Sequence, residues 1–370
     1  MPEKSQPKAK KPLQKRLGWL HQGLKDKNLD GFLVSNTGNR HYLTGWPADA
    51  ESGYLLITTS GNYLFTDSRY SEQATSVANF ELIDTTGGFA PKLSELVKEK
   101  GLARIGFESH DLSVFDLRRI KKFVKAKFVP VAHLIEEARA IKDRDEIELI
   151  RRAVNLDQKA FEHILGFVKP GQTEGEVAWE LEKKLKELGA ERAGWFPFIV
   201  AAGANSSIPH YGNSPTAKIK VGDILQLDYA SVVDSYHSDT SRVIFIGKPD
   251  PDQVKVYNWV REAQELGESL VKPGAVGGDI DRKVRGFLAK QTGFYFKHGL
   301  GHGVGLEIHE LPRVSPGSRQ KLQVGNCLTV EPGIYRPGWG GVRLEDIVVV
   351  TEKGCEVLTK TTKKISEITI

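Results

Sequence analysis

Residues 225–242 read LQLDYASVVDSYHSDTSR, and the fold turns on how that stretch is interpreted. The run Ile224-Leu225-Gln226-Leu227 leads into Asp228, and Ser241-Arg242-Val243-Ile244-Phe245 follows Asp239. Both flanks have strand composition, and the short gap suits neighbouring antiparallel strands that each deliver one carboxylate. Taken singly, either aspartate would be an ordinary turn or cap residue. Three later segments change that reading: HGLGHGVGLEIHE (298–310), TVEPG (329–333) and GVRLED (341–346) contribute His302, Glu331 and Glu345. Glycine at every second position from 299 to 305 disfavours a helix and lets backbone approach a ligand closely. His298, His302 and His309 are therefore not helical neighbours. Glu331 precedes a Pro-Gly turn, and Glu345 leads into the β-rich run Asp346-Ile347-Val348-Val349-Val350.

Four carboxylates (Asp228, Asp239, Glu331, Glu345) cannot converge unaided, because like charges at close range drive each other's pKa upward. Two divalent cations would cancel their charge. With His302 added, the donors form a hard, oxygen-rich set suited to Mn²⁺ or a neighbouring transition metal rather than to thiolate-selecting ions. Two such ions about 3.5–4 Å apart share a hydroxide nucleophile at neutral pH, so the residues read as a two-metal hydrolase. Gly301-His302-Gly303-Val304-Gly305 is not a dinucleotide loop, since it lacks the third glycine in register and the distal acidic residue. His237, two residues before Asp239, shares its strand face and is a near-site candidate. His21, His41, His110, His133 and His163 read as hydrogen-bonded structural residues.

These motifs resemble the pita-bread metallopeptidases, in the aminopeptidase P and prolidase branch. Asn39-Arg40-His41-Tyr42-Leu43-Thr44-Gly45, Thr66-Asp67-Ser68-Arg69-Tyr70 and Arg139-Ala140-Ile141-Lys142 extend the resemblance upstream, to nearly everything beyond the first dozen residues. It implies an α/β (α+β) chain: a small mixed-sheet N-terminal domain and a pita-bread catalytic domain with internal pseudo-twofold duplication. It also implies two divalent ions, Mn(II) first and Co(II), Zn(II) or Fe(II) as alternatives. Their ligands would be Asp228, Asp239, His302, Glu331 and Glu345, with Asp239 and Glu345 bridging. His210 (in IPHYGN), His298 and His309 would line the substrate site, and Arg343 would support substrate or carboxylates. Glu331 would also carry a proton, and Trp195, Phe196, Tyr211 or His298 would receive a proline ring.

The activity so implied is that of an Xaa-Pro aminopeptidase acting on peptides with proline second, with an Xaa-Pro dipeptidase as the alternative. A dipeptidase needs a cation for the free carboxylate. Arg343 and Arg336 are the candidates in view, while Trp339 suggests an apolar rim, so the aminopeptidase is the preferred expectation. A non-catalytic pita-bread binding protein is a remote reading, since all five ligands are present. Methionine aminopeptidases usually lack this N-terminal domain, and creatinase-type chemistry dispenses with the metal ligands.

Composition bounds the rest. A chain of 370 residues with 39% hydrophobic content suffices for two cores. Two cysteines give neither a disulfide framework nor a thiolate site, so a cytoplasmic location is expected. No apolar run reaches membrane-span length, and the basic start lacks a signal-peptide apolar region. Of 52 basic and 47 acidic residues, residues 1–16 hold six and one, leaving 46 of each. The body is thus neutral, nucleic acid is not expected as a partner, and residues 1–16 read as a basic disordered tail. A homodimer is compatible with all of this. Residues 17–138 then form the N-terminal domain and 139–370 the catalytic one. In the latter, long helices near 145–168 and 174–188 precede strands from Trp195, and helices near 252–271 and 278–292 precede a second strand group.

Overall fold

The computed structural model describes residues 10–46, 49, 52–194, 197–292 and 296–370. The chain divides into two compact units, Met1–Arg139 and Ala140–Ile370.

The first unit begins with α1 (Lys10–Asp26), whose Leu17, Leu20 and Leu24 recur at helical spacing and are buried. Then come β1 (Gly31–Val34), α2 (Thr37–Thr44), β2 (Tyr54–Thr58), β3 (Asn62–Thr66), α3 (Ser71–Ala74) and β4 (Glu81–Asp84). The unit closes with α4 (Phe89–Glu99), β5 (Arg104–Glu108), α5 (Val114–Phe123), β6 (Lys127–Val131) and α6 (Leu134–Arg139). The strands make one mixed sheet in the order β4-β3-β2-β1-β5-β6, with antiparallel pairing at β1–β2 and β2–β3 and parallel pairing elsewhere. Leu33, Leu56 and Phe65 from the sheet pack with Leu93, Leu96, Val97 and Ile120 from α4 and α5. Burying each such side chain contributes roughly 1.5–3 kcal/mol, before the ordering entropy is subtracted.

One expectation is corrected here. Residues 10–16, read as part of a solvated tail, are helical. The apolar stripe of α1 nucleates a helix that propagates backward over them. Arg16 anchors this turn: Nη1 donates to Tyr42 O at 3.0 Å, and the guanidinium lies 4.1 Å from the Tyr42 ring centre. Residues 1–9 lie outside the described residues.

The second unit starts with α7 (Arg144–Phe167) and α8 (Glu174–Glu187), each opened by a reciprocal capping box, Asp143 with Glu146 and Thr173 with Glu176. Next come β7 (Ile199–Ala202), β8 (Ile224–Tyr229), the short β9 (Val232–Val233) and β10 (Tyr236–His237), and β11 (Thr240–Phe245). A second helix pair, α9 (Pro251–Leu270) and α10 (Gly277–Thr292), leads to β12 (Gly301–Gly303), β13 (Glu310–Val314), β14 (Cys327–Val330), β15 (Gly333–Arg336), β16 (Gly340–Arg343), β17 (Asp346–Val350) and β18 (Cys355–Val357). Helix pair followed by antiparallel strands thus occurs twice, as the pita-bread resemblance leads one to expect. The strands form sheets β11-β8-β7 and β13-β12-β14-β17-β18 and the hairpin β15–β16. A single core joins Val177 and Leu181, Leu225 and Val243, Val256 and Val260, and Leu328 and Val348. Strands β8, β11, β12 and β14 are buried throughout. A polar side chain on such a strand is costly unless partnered, so Asp228, Ser241 and His302 mark a place where something must compensate. Cys327 and Cys355 are both free thiols.

Candidate metal centre

Strand register assembles the carboxylates. In the β8–β11 ladder Asp228 faces Ser241 and Tyr229 faces Thr240. Side chains alternate, so Asp239 lies on the same face as Ser241, diagonal to Asp228. In the β14–β17 ladder Val330 faces Asp346, so the next residues outward, Glu331 and Glu345, leave the sheet side by side. Ser241 ties the two groups together: its carbonyl accepts from Glu345 N at 3.2 Å, and its hydroxyl donates to Glu345 Oε2 at 2.9 Å. His302 comes from β12, where a Cβ on Gly301 would fall 2.0 Å from Thr329 O, and one on Gly303 2.0 Å from Leu311 O. The glycines on either side of His302 are required by close backbone approach.

Asp239, His302 and Glu345 each present a ligand atom within 4.8 Å of the others. His302 Nε2 lies 3.6 Å from Asp239 Oδ2 and 3.5 Å from Glu331 Oε1. Its Nδ1 donates to Gly303 O at 3.1 Å. A carbonyl can only accept, which leaves Nε2 with its lone pair turned toward the carboxylates. Arg343 Nη2 donates to Asp228 Oδ2, while Asp228 Oδ1 is buried with no hydrogen-bond partner.

The electrostatics express the same crowding. Burial, then Glu345 and Asp228, hold the Asp239 carboxyl well above the usual carboxylate range. Burial, then Glu345, does the same to Glu331. Glu345 is pushed up to about 8 by burial and by Asp228. Burial also raises Asp228, against the lowering effect of Arg343. Burial lowers His302 to about 3, with His309 contributing, and so keeps its imidazole neutral. An orphaned carboxylate oxygen, four crowded carboxyl groups and a neutral imidazole lone pair aimed among them fit divalent cations. Asp228, Asp239, His302, Glu331 and Glu345 are the residues that would hold them.

A cavity of about 310 Å³ opens over this cluster. His210, His298, His309 and Arg343 line it together with the five acidic and imidazole ligands. The His309 ring stands edge-on to His302, 4.2 Å between centres at 77°. His298 Nδ1 donates to Gly299 O at 2.7 Å, and its Nε2 lies 3.1 Å from Tyr335 OH. Burial, then Arg343, lowers the His298 imidazole to about 4.

Several expected wall residues fall elsewhere. Tyr211 sits against Glu174 and Ser214 rather than on the cavity wall. Trp339 packs against the core and under Arg336, which itself pairs with Asp252 at 2.9 Å. His237 is buried and makes its contacts to Gly305, its backbone N donating to Gly305 O at 2.8 Å with Nδ1 3.1 Å from the same oxygen. Trp195 and Phe196 lie outside the described residues. In their place the wall carries Arg313 and Ser315, which sequence reasoning overlooked. The available signal was alternation: His309, Leu311 and Arg313 are two residues apart, leading through β13. Gln226, whose side chain reaches the Arg343 backbone, was also missed. It reads in sequence as one polar interruption of a strand.

A model of Metallopeptidase family M24 matches residues 148–352, and one of the Creatinase/Prolidase N-terminal domain matches residues 16–141. The chain is 35% identical over 344 residues to an Xaa-Pro dipeptidase of Pyrococcus horikoshii, covering 92% of this chain and 95% of that protein. Among solved structures, an Xaa-Pro dipeptidase from Bacillus anthracis superposes with a TM-score of 0.92 at 36% identity, covering 97% of this chain and 100% of the other. An X-Pro aminopeptidase from Thermotoga maritima gives 0.87 at 32% identity, covering 96% and 99%.

Proposed function

Because this chain belongs to metallopeptidase family M24, with a Creatinase/Prolidase N-terminal domain ahead of the catalytic one, we propose that it is an Xaa-Pro dipeptidase. This reverses the preference drawn from sequence. The aminopeptidase expectation had only Arg343 and Arg336 in view as cations for a substrate carboxylate, with Trp339 as an apolar rim. Arg313 supplies the observation that carries the new reading: it is exposed and lines the same cavity as the metal-ligand cluster. A guanidinium there can take the free carboxylate after proline in a charge-assisted, bidentate pair. The dipeptidase relatives point the same way.

Two divalent ions, Mn(II) first, are the cofactors of this reading, and when bound they supply Lewis-acid activation of water and of the peptide carbonyl. The chain's own residues do the rest. His309, kept neutral by burial and by Arg313, retains an N–H to donate to the carbonyl oxygen as charge develops there. Glu331, on the cavity wall beside His302, takes a proton from the attacking water and delivers it to the prolyl nitrogen. That delivery matters because the bond before proline is a tertiary amide with no hydrogen of its own on nitrogen. His210 and His298 bound the substrate, and Arg343 holds Asp228 in place.

Three substrates sharing their first two residues test this: Xaa-Pro, Xaa-Pro-amide and Xaa-Pro-Xaa. The free dipeptide is expected to be cleaved fastest by kcat/KM. Arg313→Met should cost the dipeptide roughly 10- to 100-fold, the value of one charge-assisted contact, while leaving the amide nearly unchanged. Equal or faster cleavage of the tripeptide would return the argument to the aminopeptidase.

A further inference from the structure

A second group of potential ligands lies in the N-terminal unit. His110 sits in the turn after β5, His133 immediately precedes α6, and Glu136 is in the first turn of α6. The two histidines are exposed and Glu136 is buried. One ring nitrogen from each histidine and one carboxylate oxygen of Glu136 lie within 4.8 Å of one another. His110 Nε2 donates to Glu136 Oε1 at 2.9 Å, and the two imidazole rings lie tilted to one another, with centres 4.8 Å apart and planes at 32°.

Sequence alone assigns these histidines structural roles, and a His110–Glu136 hydrogen bond would satisfy that assignment. Two observations exceed it. Glu136 is only 7% exposed, yet its Oε2 has no hydrogen-bond partner. A buried carboxylate oxygen left bare costs free energy that a ligand would recover. The second is His133, which holds a φ of 57°, a left-handed conformation uncommon for residues other than glycine. That backbone brings its ring over His110 at the mouth of the group. Below them, Asn39 Nδ2 donates to Glu136 Oε1 and, at 2.6 Å, to Glu108 Oε1. The same amide links Glu136 to a second buried carboxyl, Glu108, and accepts from Arg139 Nη1 at 2.9 Å.

We propose that His110, His133 and Glu136 hold one transition-metal cation of borderline softness, of the Zn²⁺, Co²⁺ or Ni²⁺ class. Two imidazoles and one carboxylate are a recognised donor set for such ions, with the fourth position left to water. Ligands about 2.0–2.2 Å from a tetrahedral ion stand roughly 3.5 Å apart, so rotation of the two exposed rings suffices to close the group. The cation replaces the proton that His110 Nε2 shares with Glu136 and faces the bare Oε2. It ties the turn after β5 to the start of α6.

The test compares the full-length chain with a His110→Ala/His133→Asn double variant. Asparagine tolerates the left-handed backbone at 133. Both are dialysed against micromolar Zn²⁺, and zinc per chain is measured by mass spectrometry. The catalytic centre is intact in both, so it contributes equally. The wild-type chain is expected to hold one zinc more than the double variant, and a His21→Ala control to match the wild type. Mn²⁺-supported peptidase turnover should be the same in all three, which reports that the variants fold. If position 133 proves essential for folding, His110→Ala alone should lose the same ion. Equal zinc in the wild-type and variant chains overturns the proposal, as does an equal loss in the His21 control.

Discussion

Gln226 and Arg343 clasp one another through a side chain on one and the backbone of the other. Gln226 Oε1 accepts from Arg343 N at 2.7 Å, and Gln226 Nε2 donates to Arg343 O at 3.2 Å. A buried amide thus plays the part of a neighbouring strand. The guanidinium so fixed reaches Asp228, Ser241 Oγ at 2.8 Å and Tyr335 OH at 3.0 Å. Gln226→Leu should therefore lower kcat by about tenfold while metal content stays near that of the wild type, and cost roughly 1–3 kcal/mol of stability through unpaired backbone. Gln226→Glu, which restores the acceptor, should recover part of kcat. Metal analysis, kinetics and a melting curve on the same preparations check this, and an unchanged kcat in the leucine variant would refute the positioning role.

The metal centre predicts that a chelator abolishes activity and that Mn²⁺ or Co²⁺ restores it, with close to two ions per active chain. His302→Ala and Glu345→Ala should each lower ion content and turnover together, because each removes a donor and leaves the group incomplete. Full activity in a preparation shown to be free of metal would be incompatible with the proposed chemistry.

His309 separates binding from chemistry. His309→Ala should retain both ions and lose kcat by on the order of 10²-fold or more, with KM changing little. Loss of the ions instead would make it a ligand or a folding residue.

The metal-free chain should show an unusual pH dependence. Glu345 is pushed up to about 8 in the fold, against about 4.3 in the unfolded chain. The folded state therefore carries a proton that the unfolded state has released. Such a contribution is fully present below the unfolded pKa and is lost as pH rises through the folded one. From about pH 6.5 to 8 the melting temperature of chelator-dialysed protein should fall, at roughly 1 kcal/mol of stability per pH unit for each proton released, and the Glu345 contribution should level off above about 8. The lowered histidines do not blur this window, since their unfolded counterparts charge only below about 6.5. Glu345→Gln should flatten the curve. A melting temperature that climbs over the same range would contradict the direction of the shift.

The ligand cluster was legible in sequence because its chemistry is local: acidic residues at strand ends, glycines around His302, and a Pro-Gly turn after Glu331. The helix pairs were legible too, through periodic stretches near 145–168, 174–188, 252–271 and 278–292. What escaped is set by tertiary contact. Nothing near Gln226 announces that its amide will meet Arg343, 117 residues later. Arg313 reaches the cavity wall only because β13 borders the cavity, a tertiary relation. Trp339, expected at an apolar rim, and Tyr211, expected at the proline ring, are held elsewhere by their neighbours Arg336 and Glu174. The beginning of α1 was missed because six basic residues in the first sixteen outweighed an apolar stripe that starts only at Leu13.

The glycines of the metal centre also bear on how this enzyme can evolve. A methyl group on Gly301 or Gly303 would strike carbonyl oxygen at 2.0 Å, and one on Gly341 would meet Ser206 O at 2.1 Å. Those collisions are with backbone, which no rotamer change relieves. The floor of the site is therefore closed to mutational drift, while His210 and Arg313 stand exposed on the wall and can be exchanged without disturbing a strand. New substrate preferences are accessible through the rim. The floor is inherited intact or lost.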